Sequence, residues 1–209
     1  MSLIELKNVT KKYGDKVILD KVSLKIEKGE FVGIKGESGK GKTTLLNVLG
    51  LVEDCEGQVI IDGDIVKYNQ RKKVMKILRE RIGYLFQNFA LIDDVTVFEN
   101  LKIVMSKSSK KEMIKLMKEA LEKVGLSAEY IYKEVCKLSG GEQQRVAAAR
   151  IILKKCDIVL ADEPTGSLDE KNALIIMELL KQFNIEGKTI IMVSHDPRVF
   201  AYCSRVIEL

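Results

Sequence analysis

The sequence has no apolar run approaching the ~20 residues needed to cross a bilayer, and its N-terminus carries no signal-peptide pattern. The expectation from these two absences is a cytoplasmic chain. Its four cysteines, Cys55, Cys136, Cys156 and Cys203, form no Cys-x-x-Cys pair. That removes the usual metal and redox spacings and leaves reduced thiols as the reading. No stretch rich in Pro, Gly and Ser divides the chain, and no internal repeat or low-complexity tract is present. Strong charge of one sign is missing too: 35 Lys and Arg against 30 Asp and Glu leave a net +5, which permits an anionic partner but does not demand nucleic acid. What remains is ordinary globular composition. With 46% apolar residues over 209 positions, the chain can bury a real core as one domain, or one domain with an inserted subdomain.

Glycine concentrates in one place with a pattern. Gly36, Glu37, Ser38, Gly39, Lys40, Gly41, Lys42, Thr43 and Thr44 run in sequence and fit G-x-x-x-x-G-K-[ST]. The apolar run Phe31-Val32-Gly33-Ile34 before it reads as a buried strand, and Thr44–Leu49 after it as a helix. Glycines let successive N–H groups turn inward onto phosphate oxygens, and the following helix adds the positive end of its dipole. Lys42 then reaches the β- and γ-phosphates and the Thr43 hydroxyl ligates Mg²⁺. A ligand-free Gly-rich turn is the alternative; correct flanks on both sides favour a nucleoside triphosphate site.

The rest of the chain alternates in period. Leu3 to Ile26 reads as two strands joined by a turn at Lys12–Lys16, with Val22, Leu24 and Ile26 alternating against polar neighbours. Tyr13, at the edge of this sheet, is equally readable as a purine-stacking face or an ordinary cross-strand aromatic. Gln58–Ile61 is a short strand. The basic run from Lys67 to Arg81 reads as a solvated helix face, with a membrane or nucleic-acid patch as the alternative. Ile82–Phe86 is a buried strand ending at Gln87. From Asn88 to Leu153 the period becomes helical, with capping boxes at Thr96-x-x-Glu99 and Ser109-x-x-Glu112 and a helix stop at Gly125. The last third returns to strands at Ile158–Ala161, Thr189–Val193 and Arg205–Leu209, with a helix capped by Ser167-x-x-Glu170 between the first two. Apolar strands alternating with helices imply a parallel sheet covered on both faces.

Two further stretches carry chemistry. Asp162 and Glu163 follow an apolar strand at its C-terminal end, where open α/β sheets bind ligands. Asp162 is placed for the Mg²⁺ shell and Glu163 for the attacking water, the two jobs phosphoryl transfer needs. Leu138-Ser139-Gly140-Gly141-Glu142-Gln143-Gln144-Arg145 opens a helix with a capping box and two glycines, each about 1 kcal/mol worse than Ala inside a helix. The glycines make sense if backbone N–H groups must approach an anion. The chain's own triphosphate is already cradled at Gly36–Thr44, so the client is a nucleotide held by another copy.

In this order the stretches resemble the motifs of ATP-binding cassette ATPases. Gly36–Thr43 is similar to the Walker A, Gln87 to the Q-loop and Leu138–Arg145 to the signature motif. Ile158–Glu163 is similar to the Walker B with its catalytic Glu, and Ser167-Leu168-Asp169 to the D-loop. His195, the only histidine, falls at the family's switch histidine and Tyr13 at its adenine-stacking aromatic. Lys40 departs from the family's commoner serine at a variable position, so an exposed side chain is expected there. The resemblance implies an α/β P-loop NTPase core, mainly a parallel sheet flanked by helices, as one domain over 1–209. It also implies an antiparallel β subdomain around Tyr13 and a helical subdomain inserted at about 88–154. The ending at Leu209 leaves no room for an appended regulatory domain.

The resemblance further implies ATP as ligand and Mg²⁺ as cofactor. ATP would be held by Tyr13 and Gly36–Thr44 of one subunit and by Ser139, Gly140 and Gly141 of the other in a head-to-tail, ATP-dependent homodimer. Thr43, Gln87 and Asp162 would hold the metal, while Glu163, His195, Gln87 and Lys42 would serve catalysis. The partner implied is a separate membrane permease, with the chain peripheral on the cytoplasmic face of the membrane. Ala161–Asp169, Phe86–Ile92 and Val97–Asn100 are similar to the branch serving lipoprotein release, macrolide efflux and peptide or bacteriocin export. An importer ATPase and a non-transport ATPase, such as a cell-division complex subunit, are the alternatives. A P-loop small-molecule kinase does not explain Leu138–Arg145.

Overall fold

The computed structural model describes residues 2–37, 39–105 and 109–209. Two sheets organise it. The N-terminal one is antiparallel, built from β1 (Ser2–Tyr13), β2 (Lys16–Glu27), β4 (Glu56–Ile61) and β5 (Asp64–Val66) in the order β2-β1-β4-β5. One face of it meets the core: Leu19 and Ile26 are buried on β2 while Asp20, Ser23 and Lys25 face water. This is the alternation a one-sided sheet requires. Tyr13 closes the β1–β2 hairpin opposite Lys16, at its tip, on a strand interior to the sheet.

The second sheet is wholly parallel: β6 (Ile82–Leu85), β7 (Ile158–Asp162), β8 (Thr189–Val193), β3 (Phe31–Lys35) and β9 (Arg205–Glu208), in that order. Its central strands are apolar throughout because both faces are covered. On β7, Ile158 and Leu160 face a core shared with α1 (Lys42–Leu49) and the antiparallel sheet. Val159 and Ala161 face a second core shared with α5 (Gly140–Lys154) and α6 (Glu170–Ile185). The fold is therefore a mixed α/β assembly in which β7 is wedged between two cores.

Between β6 and β7 lie α3 (Val97–Lys102), α4 (Lys110–Lys123) and α5. Thr96, Ser109 and Ser139 cap these helices as their sequence patterns predict, each accepting from the N–H three residues on. Gly125, at φ 73°, ends α4. Met117 is fully buried in the core beside α5. The basic run falls on α2 (Arg71–Glu80), where only Val74 is buried, so the cations are a solvated face. One expectation fails. The cap of α6 is Asp169, whose carboxylate accepts from Asn172 N at 2.8 Å, and not Ser167. The helix starts two residues later than the Ser167-x-x-Glu170 spacing suggests, because the chain is still turning there, with Gly166 N bonded to Glu163 O and Leu168 N to Thr165 O.

Gly50 sets the approach of α1 to β7. A Cβ there would lie 2.6 Å from Leu160 Cδ1 and 3.2 Å from Leu46 O. Gly50→Ala is therefore expected to lower stability by about 1–3 kcal/mol through overpacking, read as a drop in the urea midpoint. A loss below about 0.5 kcal/mol contradicts the close contact of α1 with the sheet.

Candidate active site

The carboxyl ends of β3, β7 and β8 open onto one cleft of about 440 Å³, whose lining includes Gly41, Lys42, Thr43, Gln87, Glu163 and His195. β3 ends at Lys35, and the segment from Gly36 leads into α1. Gly41 caps that helix at φ 89°, and a Cβ on it would press to 2.7 Å of Ile18 Cγ2. Both the left-handed backbone and the close approach to β2 require glycine here. Gly39 also lines the cleft with positive φ. Ser38 lies outside the described residues.

Lys42 is buried, and its ammonium donates to Gly36 O (2.8 Å) and Glu37 O (2.9 Å). An ammonium has three donors, so one remains for an anion. Lys40 is exposed, as expected, and pairs at 3.7 Å with the exposed Glu37. Thr44, the second residue of α1 after Lys42, also lines the cleft.

β7 delivers the two carboxylates in different directions. Asp162 remains in the strand and accepts from Thr43 Oγ1 at 3.2 Å, joining the first turn of α1 to the end of β7. Burial raises the Asp162 pKa above the ordinary aspartate value, against the Thr43 hydrogen bond. A hydroxyl and a half-buried carboxylate this close form an all-oxygen donor set that suits a hard divalent cation. Gln87 faces the same cleft just beyond β6 and adds an amide oxygen.

Glu163 leaves the strand direction altogether. Its φ of 44° is left-handed for a non-glycine residue. The turn is held by Glu163 N donating to Val193 O and Gly166 N donating to Glu163 O, both at 3.0 Å. The carboxylate thereby crosses to the end of β8. Oε2 accepts from the Ser194 hydroxyl (3.1 Å) and His195 N (3.3 Å), and Oε1 lies 2.9 Å from His195 Nδ1. A carboxylate offers about four lone-pair sites, so acceptor capacity remains at the side facing the cleft. The His195 ring is mostly exposed, 70% against 14% for Glu163. Strained backbone of this sort at a carboxylate marks a site where geometry outweighs local comfort.

Tyr13 is half-exposed at the hairpin tip, with no cross-strand aromatic partner in the hairpin. Its hydroxyl donates to Glu53, which accepts from Asn47 Nδ2 of α1 at 2.9 Å, and Lys11 Nζ sits 5.5 Å from the ring centre. The ring is thus tied to α1 while keeping an open face.

Ser139, Gly140 and Gly141 are not among the residues lining the cleft. Ser139 and Glu142 form the reciprocal capping box, with Glu142 Oε1 also accepting from Tyr130 at 2.5 Å. Only Gly140 has room beside it, its nearest neighbour being the Phe89 ring at 3.5 Å from a built Cβ. Gly141 has a different reason to be glycine: a Cβ there would strike the Asn172 side chain at 2.3 to 2.7 Å. Sequence reasoning missed Ser194, Asn172 and Arg150, which act through contacts distant in sequence. Only the adjacency of Ser194 to His195 hinted at any of them.

The raised Asp162 pKa has a testable sign. The folded state binds the proton more tightly than the unfolded chain, so stability falls as pH rises from the unfolded value of about 3.9 through the folded value. Asp162→Asn removes that penalty. In metal-free buffer the variant is expected to melt above the parent at pH 7 and to lose this advantage below about pH 4. A parent as stable as the variant at pH 7 contradicts the burial of this carboxylate.

Comparison with known proteins identifies the family. Residues 19–166 match the family model described as ABC transporter. The ABC transporter ATP-binding protein MJ0796 of Methanocaldococcus jannaschii is 42% identical over 99% of this chain and 93% of its own length. The bacitracin export ATP-binding protein BceA of Halalkalibacterium halodurans is 38% identical over 99% of this chain and 85% of its length. The macrolide export ATP-binding/permease protein MacB of Campylobacter jejuni is 40% identical over 99% of this chain, which spans only 33% of that relative. Among solved structures, a dimeric MJ0796 cassette superposes with a TM-score of 0.91 at 41% identity, over 99% of this chain and 94% of that one. A dimeric post-hydrolysis state of MJ0796 bound to ADP and Pi superposes at 0.90, with 40% identity and the same coverage. The chain belongs to the ABC transporter family.

Proposed function

We propose that this chain is the ATP-binding and ATP-hydrolysing subunit of an ABC transporter, powering a separate permease that exports a peptide, lipoprotein or hydrophobic compound. The observation that carries this reading is the meeting of Lys42, Thr43, Gln87, Glu163 and His195 in one cleft at the carboxyl edge of the sheet. The export branch is supported by the macrolide and bacitracin export relatives. No helix among the described residues is long and apolar enough to cross a membrane. Membrane attachment in this reading comes through the permease on the cytoplasmic face.

Each residue has a defined task. The open face of Tyr13 stacks on adenine, and the backbone from Gly36 to Thr44 cradles the phosphates, with Lys42 adding a cation. Thr43, Asp162 and Gln87 hold Mg²⁺, which neutralises phosphate charge when bound. Glu163 orients the attacking water and takes its proton, with Ser194 and His195 fixing the carboxylate plane. His195 faces the γ-phosphate from its exposed side. Ser139, Gly140 and Gly141 close on the γ-phosphate held by a second copy, in a two-fold arrangement where each subunit uses the same two patches. The dimeric cassettes of the similar protein support this assembly. Losing the γ-phosphate loosens the interface, which turns hydrolysis into permease movement.

Three variants test the scheme. Glu163→Gln is expected to keep ATP binding and lose turnover by a factor on the order of 10²–10⁴. It should sediment as a dimer with ATP and as a monomer with ADP; a near-normal rate removes Glu163 from the chemistry. Lys42→Ala should lose ATP binding itself, and unchanged ATP affinity contradicts the loop's role. Gly140→Asp added to Glu163→Gln puts a carboxylate against phosphate at a position with room for it. That chain should stay monomeric with ATP, and a persistent dimer sinks the shared site.

A further inference from the structure

Arg150 lies ten residues into α5 and holds the turn just after Gln87 by its backbone, while Asn100 bonds the same loop further on, at Ile92. Its guanidinium donates to Phe89 O through Nη2 (2.7 Å) and to Ala90 O through Nη1 (2.5 Å). Those two residues are consecutive and both left-handed, with φ of 61° and 47°. Neither is glycine, and a bulky aromatic in that region is uncommon. Such a pair persists only where surrounding contacts hold it.

The arginine is itself costly. No carboxylate of the described residues is within ion-pair reach of it, and burial alone pulls its pKa below the ordinary arginine value. A partly buried cation answered only by two carbonyls is a poor device for stability. It is a good one for geometry, since the planar fork fixes two acceptors at once. What it fixes matters on both sides. Two residues back, Gln87 faces the cleft. The Phe89 ring lies 3.5 Å from a Cβ built on Gly140, at the opening of the same helix that carries Arg150.

We propose that Arg150 is a positioning residue: by clamping the left-handed Phe89–Ala90 turn onto α5, it sets Gln87 in the nucleotide cleft and seats Phe89 against Gly140. The two ends of the shared nucleotide site, one facing the chain's own ATP and one facing the partner's, are thereby built on one mechanical unit. The link to turnover rests on the proposed ATPase reading, whereas the clamp itself does not.

The test separates the two. The chain has no tryptophan, so Phe89→Trp supplies a single fluorescent reporter at the clamped turn. In that background Arg150→Gln is expected to red-shift the emission of the nucleotide-free protein as the turn comes off α5. Unchanged emission overturns the clamp whatever the chain hydrolyses. In the otherwise unaltered chain, Arg150→Gln should lower kcat roughly tenfold while KM for ATP moves by less than about twofold. Arg150→Lys, which keeps the charge but not the fork, should fall between. The decisive variant is Ala90→Gly, which makes the left-handed backbone cheap without touching any contact of the arginine side chain. Added to Arg150→Gln it should recover most of the lost kcat, because the turn then needs less holding. A general loss of helix stability would not be repaired there, so failure of Ala90→Gly to recover activity overturns the positioning role. A parent chain without ATPase activity overturns the ATPase reading instead, and the emission experiment still decides the clamp.

Discussion

A strand buried on both faces can place a charged group only at its end. β7 is such a strand, with Ile158, Val159, Leu160 and Ala161 wholly enclosed between two cores. The constraint puts Asp162 and Glu163 at the carboxyl edge and nowhere else. Since β8 runs parallel beside β7 and β3 parallel beside β8, their ends deliver the loop from Gly36 and the pair Ser194-His195 to the same edge. The site follows from the sheet's direction and burial before any ligand is considered.

Within that edge, the two carboxylates are separated by backbone conformation. Asp162 keeps the strand geometry and meets Thr43 on one side. Glu163 takes a left-handed turn and meets Ser194 and His195 on the other. Adjacent acids in an ordinary extended chain would also point apart, but the turn adds lateral reach across β8. The strain at Glu163, and again at Phe89–Ala90, appears at the segments that frame the cleft. Left-handed non-glycine residues also occur at Asn8, Lys21, Leu51, Asp62 and Lys155, while caps, strand alternation and apolar helix faces agree with one another.

Local chemistry is what the sequence could reveal. The phosphate loop, the helix caps at Thr96, Ser109 and Ser139, of which only Ser139 closes a full capping box, and the apolar strands are legible because each depends on neighbours a few residues away. Tyr13 was ambiguous because its environment, Glu53 and Asn47, lies some forty residues downstream. The α6 cap was misplaced because Ser167 and Asp169 both fit a capping pattern, and only the course of the chain after Gly166 chooses between them. The Gly140-Gly141 pair carried two causes under one appearance. Gly140 leaves space beside the helix start, whereas Gly141 is demanded by Asn172, a residue on another helix. Ser194, Asn172 and Arg150 exert their effects across the fold, and only Ser194, beside His195, leaves a local hint.

The central claim is that one chain holds only part of a working site, with the phosphate loop lining the cleft and the Ser139–Gly141 helix start outside that lining. That claim has a direct kinetic signature, the ATPase rate per chain measured across protein concentration at saturating ATP and Mg²⁺. A site completed by a second copy predicts a rate per chain that rises with concentration and then levels as dimers fill. A rate per chain that is constant from the lowest concentration upward, in a protein that sediments as a monomer throughout, contradicts it.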